Sequence, residues 1–560
     1  MIDRLASVLA KVTLGFFFLF LFFAGVLIGG TALHDPDTCW LVALGKYIFE
    51  HGGIPTAEPF SYTFADIHRP LVLYQWLTEL CFFGAVKTCG LRGLLVLTST
   101  LVMIAFAVIP LKMFALLRAR WYVTLPMMLL AMVSACFHFL ARPEIVSYVL
   151  LSFSLFILTL HRLEFRQKFL VDSGFDLKGA NGEFGANLAA HKGPDDAVGA
   201  REKTANIDYK LILILAIAML SWSNFHTGFV SGLLVLATYV VASLISRFLF
   251  KVHPLYDLSG SLALLAGVAA TLCNPYGIGL WQYIPSLFFA NFNRLIVELN
   301  SADIRKPEFV PFALFLAGFF VFWLKRLLSV FHSKEQAAYL SAEKMQCLES
   351  SIIFCVCAFE GTSHLRLIPF VVLVLLYEFA LLLGPILKSE QRMNLILDAF
   401  NSRLAAGLAP PLKLGGAYCL VLTALVGIFG TLTGARIQAP QLPQSGGAFK
   451  LPVTAMEEVS SKHAAGHILN DPQYGDALIW YHPDAPKVFV DTRFDMYGED
   501  LIKDYLCMRD ARPGFIDLLA KYDIKTIFLP VNTPLILKLR GDSSWKVDYS
   551  DKDAVVLSRL

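Results

Sequence analysis

Two carboxylates two residues apart, in His34-Asp35-Pro36-Asp37-Thr38-Cys39-Trp40, directly follow an apolar run of 22 residues at 12–33. A run of that length crosses a bilayer as one helix, so Asp35 and Asp37 stand where hydrocarbon gives way to water. Acidic groups at that depth are expensive to dehydrate and mark an ion, proton or substrate site. The bland alternative is an acidic loop at a helix end, facing water. Four other polar corners break apolar runs: Ala141-Arg142-Pro143-Glu144, Trp222-Ser223-Asn224-Phe225-His226-Thr227-Gly228, Cys273-Asn274-Pro275-Tyr276-Gly277 and His364-Leu365-Arg366. Each has a plain structural explanation. Arg142 can snorkel to headgroups, Asn224 and His226 can bond helix to helix, and Asn-Pro-Tyr-Gly is a good turn formula. His364 and Arg366 are harder to dismiss, since two cationic candidates at a helix entrance suit a phosphate.

The elements that must position these residues are membrane helices. Of the 560 residues 56% are hydrophobic, 46 are Phe and only 16% are charged, with a mean hydropathy of +0.61. No soluble domain buries that much apolar surface, so the chain reads as a polytopic membrane protein. The first run is too long for a signal-peptide core and no small-residue cleavage site follows it, so it reads as a retained anchor. A net charge of +3 gives no case for nucleic acid, and the 10 cysteines show neither C-x2-C pairs nor His/Cys ligand spacing. They read as small hydrophobes within helices.

Further apolar runs cover 71–86, 94–117, 121–140, 145–160, 211–224, 229–248, 258–273, 309–323, 352–359, 367–387 and 414–432. Basic residues cluster at Arg118/Arg120, Arg162/Arg166/Lys168, Arg247/Lys251, Lys325/Arg326 and Lys388/Arg392. All of them lie on the cytoplasmic side, with Arg4 and Lys11, if 71–86 does not cross. That run carries Gln75, Trp76 and Glu79 as a polar stripe, which suits a helix lying in the interface. The expectation is about 11 transmembrane helices, a cytoplasmic amino terminus and an extracytoplasmic carboxyl terminus, in the plasma (inner) membrane. All five polar corners then fall on the outer side, and convergence of ionisable groups from several helices on one face is what a membrane-level active site requires.

The chain divides into a transmembrane domain at 1–435 and a soluble outer domain at 436–560. Within the first, the outer loop at 34–92 holds two juxtamembrane helices. One spans 40–51 and stops at Gly52-Gly53, an extended stretch follows, and the second begins at Leu71. The segment 162–208 is polar and aperiodic and reads as a mobile cytoplasmic insertion. In the tail, 477–481, 487–491, 524–529, 545–549 and 554–557 read as strands, 498–508 and 515–522 as helices, together a small α/β domain. Asp491-Thr492-Arg493-Phe494-Asp495 follows a strand. It reads as an Asp–Arg pair shaping its loop, with acceptor binding as the alternative.

This layout resembles the GT-C superfamily of integral-membrane glycosyltransferases, which includes oligosaccharyltransferases, protein O-mannosyltransferases and the aminoarabinose transferase of lipid A. More closely, Asp-Pro-Asp-Thr-x-Trp, the Gly and His-Gly that follow, and Ile-Pro-Thr-x2-Pro-Phe-Ser-Tyr-Thr resemble a bacterial GT-C-like group. Arg142-Pro143, the Trp222-to-Gly228 turn and the Asp491-to-Gly498 segment match further motifs of that group. Leu41 departs from it, standing where the group often has His, so any proton or metal role of that His is absent or passes to His34.

The resemblance implies a transferase that takes a sugar from a polyprenyl-phosphate donor and passes it to a glycan, lipid or protein acceptor at the outer face. Asp35 or Asp37 would be the catalytic base, or would hold Mg²⁺ or Mn²⁺, which hard carboxylate oxygens suit. Arg142, His364 and Arg366 would counter charge on the leaving lipid phosphate. Asn224, His226, Tyr276 and His34 are further candidate substrate contacts, and Glu79 completes the site or remains a surface polar group. A transporter remains open, although no internal repeat is visible and the charges sit at helix ends. So does a non-catalytic assembly or receptor protein whose tail binds a partner.

Overall fold

The computed structural model describes residues 2–66, 70–117, 119–173, 207–252, 258–288, 290, 301–303, 305–332, 337–383, 391–413, 451–461 and 466–560. The expected crossing at 414–432 and most of the 162–208 insertion lie outside them. The described chain is mostly helical, with one small sheet near its end.

The membrane part contains α1 (Ile2–Thr31), α2 (Asp37–His51), α3 (Trp76–Met103), α4 (Ile109–Leu116), α5 (Trp121–Ala135), α6 (Glu144–Asp172), α7 (Tyr209–Phe225), α8 (Phe229–Leu249), α9 (Ser259–Ala270), α10 (Ile278–Phe288), α11 (Val310–His332), α12 (Ala337–Ser363), α13 (Ile368–Leu383) and α14 (Gln391–Lys413). Among the described residues, six stretches are long and apolar enough to cross a membrane: Trp76–Leu116, Trp121–His138, Glu144–Asp172, Phe229–Leu249, Pro307–His332 and Leu365–Leu383. Tyr209–Phe225 and Ser259–Ala270 are apolar but shorter. Helix α13 is the hub of the bundle, every one of its residues buried.

Three elements differ from the sequence reading. The runs 71–86 and 94–117 are not separate: helix continues from Trp76 to Leu116, bent at Cys89 (φ −136°) and Gly90 (φ 63°, ψ −161°) and loosened by a π-turn at Ile104–Val108. The part before the bend, 76–88, is about 20 Å long, short of the roughly 30 Å hydrocarbon core. Helix α12 begins in polar sequence well before the apolar run at 352–359. Helix α14, not foreseen, packs along α1, with Gly407 against Leu14.

Helix α2 ends where the sequence puts its stop, at Gly52, whose φ of 69° is a left-handed conformation that glycine adopts at little cost. It lies against α3 so closely that a Cβ on Gly45 would sit 2.0 Å from the Glu79 carbonyl oxygen. Only a glycine permits that approach.

The tail adds α15 (Val453–Ser461), β1 (His467–Asn470), α16 (Pro472–Tyr481), α17 (Phe494–Arg509), α18 (Phe515–Lys521), β2 (Ile524–Pro530), α19 (Pro534–Leu539), β3 (Trp545–Ser550) and β4 (Ala554–Arg559). The sheet order is β1-β2-β4-β3, with β1 and β2 parallel and the other pairs antiparallel. Two expected strands are not strands of this sheet. Residues 477–481 belong to α16, because Asp471 caps it by accepting from the Gln473 amide and Pro472 starts it. Those local signals outweigh the strand preference of Ile-Trp-Tyr. Residues 487–491 are extended but pair with the first loop instead. Val488 N–H donates to Phe60 O at 3.0 Å, and Tyr62 N–H donates to Val488 O at 3.3 Å.

Candidate active site

Loop and tail meet over Asp37. The first helix delivers the chain to Ala32, whose carbonyl accepts from Ala141 N–H at 2.7 Å, and Thr38 Oγ1 donates to Ala141 O at 3.3 Å. These two bonds fix the Arg142 turn beside the acidic pair. Arg142 forms ion pairs with both carboxylates, with Asp35 and, through Nη2 at 3.1 Å, with Asp37 Oδ2. The two acids are not equivalent. Asp35 is 1% exposed, and its Oδ1 accepts from the Asp37 backbone N–H at 3.0 Å, holding the start of α2. The Asp37 side chain is 23% exposed, which leaves it a face for a ligand.

The tail supplies the rest of the Asp37 surroundings. Thr492 Oγ1 lies 2.6 Å from Asp37 Oδ1 and 2.9 Å from Asp476 Oδ2, and it accepts from Trp40 Nε1 at 3.2 Å. Thr492 is held by its neighbours. Arg493 is buried between Asp491 and Glu58, donating from Nε to Asp491 at 3.0 Å and from Nη1 to Glu58 at 2.9 Å, with Trp40 against its guanidinium. The Asp491–Arg493 pair therefore shapes the loop, as the sequence suggests, and it ties that loop to residue 58 in the segment between α2 and α3. Burial, followed by the charges of Asp37 and Asp491, pushes the Asp476 pKa well above the ordinary carboxylate range. Burial also raises Asp495, which accepts from Tyr283 OH at 2.8 Å, and it lowers His34.

A second polar node begins one peptide beyond Arg142–Pro143. Glu144 pairs with Arg366 and lies 3.9 Å from His226 Nε2. Gly228 N–H donates to His226 Nδ1 at 3.0 Å, so that nitrogen is an acceptor and Nε2 carries the proton facing Glu144. Ser147 Oγ donates to the same Nδ1 at 2.8 Å and accepts from Trp222 Nε1 at 2.7 Å. Asn224 accepts from Trp76 Nε1 and donates to Cys273 O, and the Tyr276 hydroxyl accepts from Leu73 N–H. The polar corners are thus joined by direct contacts: Arg142 to Asp35 and Asp37, Glu144 to His226 and Arg366, and Asn224 to the turn of Tyr276.

Some expected residues have other surroundings than the sequence implies. Arg142 and Arg366 each lie against carboxylates of the chain itself. His364 is half exposed and sits 3.5 Å from Glu360 one turn earlier on its own chain. Glu79 is not a surface group: it is 0% exposed, in the α2–α3 contact. Asp35 and Asp37 do not fit a divalent ion well, because Arg142 spans both and Thr492 takes the second oxygen of Asp37. The sequence reading missed Asp476 and Thr492 as site residues. Thr492 was within reach, since it sits between Asp491 and Arg493 in a segment already singled out. Nothing marks Asp476, which stands one position before the run at 477–481 read as a strand and lies in the same helix as that run.

No family model matches the chain, and no curated protein matches it. Among solved structures, ArnT from Cupriavidus metallidurans bound to undecaprenyl phosphate is 15% identical over 99% of this chain and 98% of its own, with a TM-score of 0.42. The same protein in the apo state is 13% identical with the same coverage and TM-score. At this identity and TM-score the likeness assigns no activity and no residue role to the present chain.

Proposed function

We propose that this chain is a membrane glycosyltransferase that moves a sugar from a polyprenyl-phosphate donor to a hydroxyl acceptor at the extracytoplasmic surface, with Asp37 as general base. The carrying observation is the asymmetry of the acidic pair: Asp35 is enclosed and accepts from the first amide of α2, whereas Asp37 keeps an exposed face beside polar groups from several helices. An aqueous acidic loop would have no reason to bury Asp35 against Arg142. A donor whose lipid tail stays in the bilayer would present its phosphate at this helix-end level. The charge that develops on that phosphate as the glycosidic bond breaks needs a fixed cation nearby. Arg366 is the better candidate, its side chain being 35% exposed against 14% for Arg142. Asp37 takes the acceptor proton, its carboxylate oriented by Arg142 and Thr492. His226 would present its Nε2 proton toward Glu144 and so hold the Arg366 partner in place.

Transfer of a radiolabelled sugar from polyprenyl phosphate, measured on purified full-length protein in nanodiscs, tests this reading. Asp37→Asn is expected to lower the rate by about 10²–10⁴-fold, the usual worth of a positioned acid or base, with the thermal midpoint unchanged. Wild-type turnover retained by Asp37→Asn would end the proposal and favour a non-catalytic membrane protein.

A further inference from the structure

A threonine hydroxyl owns one proton and two acceptor lone pairs. Around Thr492 Oγ1 stand three groups: Trp40 Nε1, which can only donate, and one carboxylate oxygen each from Asp37 and Asp476. Two ionised carboxylates cannot both be served by one proton. The contacts close only if one of the two acids is protonated and donates to Oγ1, while Thr492 gives its own proton to the other.

Geometry decides which acid it is. Asp37 faces the Arg142 guanidinium and keeps part of its surface open, so it is the ionised partner. Asp476 lies on α16, 0% exposed, and among the described residues no Lys, Arg or His stands within ion-pair distance of it. The groups facing it are Asp37 and Cys39 from α2 and Asp491 from the segment that follows α16. Arg493, the nearest cation on that loop, is turned away onto Asp491 and Glu58. The other Asp476 oxygen accepts from Thr492 N–H at 3.2 Å, as the carbonyl oxygen of an acid would. Close packing holds the arrangement: a Cβ on Gly475 would meet Val490 O at 2.4 Å, so α16 sits directly on the extended segment that leads to Thr492.

We infer that Asp476 is a neutral carboxylic acid and the positioning residue of the site: its O–H, with the Trp40 indole N–H, fills both lone pairs of Thr492, and the Thr492 proton is thereby aimed at Asp37. The tail would then orient the base on the membrane loop, and the soluble domain becomes part of the transferase site and not an appendage. This inference deepens the Asp37 reading and rests on it for the rate effects only, since the protonation state is observable without turnover.

The test combines infrared difference spectroscopy with the transfer assay, both on full-length protein in nanodiscs at neutral pH. Wild type minus Asp476→Asn should show a protonated-carboxyl C=O band belonging to Asp476; absence of that band overturns the inference. Asp476→Leu, which removes the donor, should lower transfer about tenfold or more. Asp476→Asn, whose amide can still donate to Thr492, should recover most of that loss. Equal losses in the Asn and Leu variants would refute the orienting role. Thr492→Val should match Asp476→Leu, and Thr492→Ser should stay near wild type. An Asp476 band seen together with no transfer by the wild type would sink the glycosyltransferase reading and leave the neutral acid standing.

Discussion

The bundle holds two buried charge clusters at opposite ends, built on different terms. Arg162 and Arg166 lie 18 and 22 residues along α6 from Glu144, about 30 Å away at 1.5 Å per residue. At that far end Arg162 pairs with Glu378 and Glu349, and Arg166 and Arg326 both pair with Glu343. Tyr239 and Ser350 complete the hydrogen bonds of Glu378. Each of these three carboxylates is answered by at least one arginine. At the Asp37 end Arg142 is shared between two carboxylates, and a third acid, Asp476, has only hydroxyl and amide partners. A network of matched pairs fixes helices against one another. One with more carboxylates than cations, and one carboxylate partly open, is poised for a proton and a ligand.

That contrast can be broken from either side. The largest effect belongs to Asp37→Asn, where the rate should collapse while the melting transition holds. Glu378→Ala should do the opposite. It takes one of the two carboxylates from Arg162 and strands Tyr239 and Ser350 in the bundle, so about 3 kcal/mol of stability is expected to go, read as a lower thermal midpoint in nanodiscs. Transfer per folded molecule should stay as in wild type. A Glu378→Ala protein that is fully stable but inactive would reverse the assignment of the two ends.

A third substitution acts on the frame that joins Asp37 to the bundle. Gly45→Ala drives a methyl into the Glu79 carbonyl, so α2 must lift off α3 and carry Asp37 with it. About 1–3 kcal/mol of destabilisation is expected, together with reduced transfer. Unaltered transfer in that variant would mean that the seat of α2 on α3 does not set the base.

Much of this was legible in the chain before any coordinates, and the failures have physical causes. Spacing and composition are enough to find Asp35, Asp37 and the other polar corners, because ionisable residues are rare at apolar helix ends. The Gly52 stop of α2 is equally plain. Three of the five basic clusters meet around one cavity, which Arg162, Arg166 and Arg247 line, with Arg326 tied in through Glu343. What the sequence cannot display is partnership across hundreds of residues. Arg366 looks like a cation awaiting phosphate until Glu144 is found against it. Glu79 looks like a surface group because its stripe is polar, but α2 covers it. Residues 487–491 look like a strand and are extended, yet their partner is the loop at 60–62, over 400 positions earlier. Asp476 escaped notice altogether, since capping by Asp471 and Pro472 turns an apolar strand-like run into a helix.

The smallest prediction concerns Asp471 itself, a tail acid near Asp476 that answers to burial and not to a cation. Burial raises its pKa from 3.8 to about 6, against the opposing pull of the Gln473 and Tyr474 amides. The folded tail therefore keeps this proton to higher pH than the unfolded chain does. Its stabilising contribution is complete below about pH 4 and is lost as pH rises through about 6, the reverse of an acid held by an arginine. Asn at this position keeps the acceptor that caps α16 and has no charge to bury. Asp471→Asn should match wild type at pH 4 and exceed it above pH 6. The gain should be on the order of 1 kcal/mol, because the side chain retains some contact with water. Hydrogen exchange of the α16 amides at the two pH values measures it. Other titrating groups cancel in the comparison with wild type, so a gain of equal size at both pH values would mean that residue 471 acts through its cap and not through its charge.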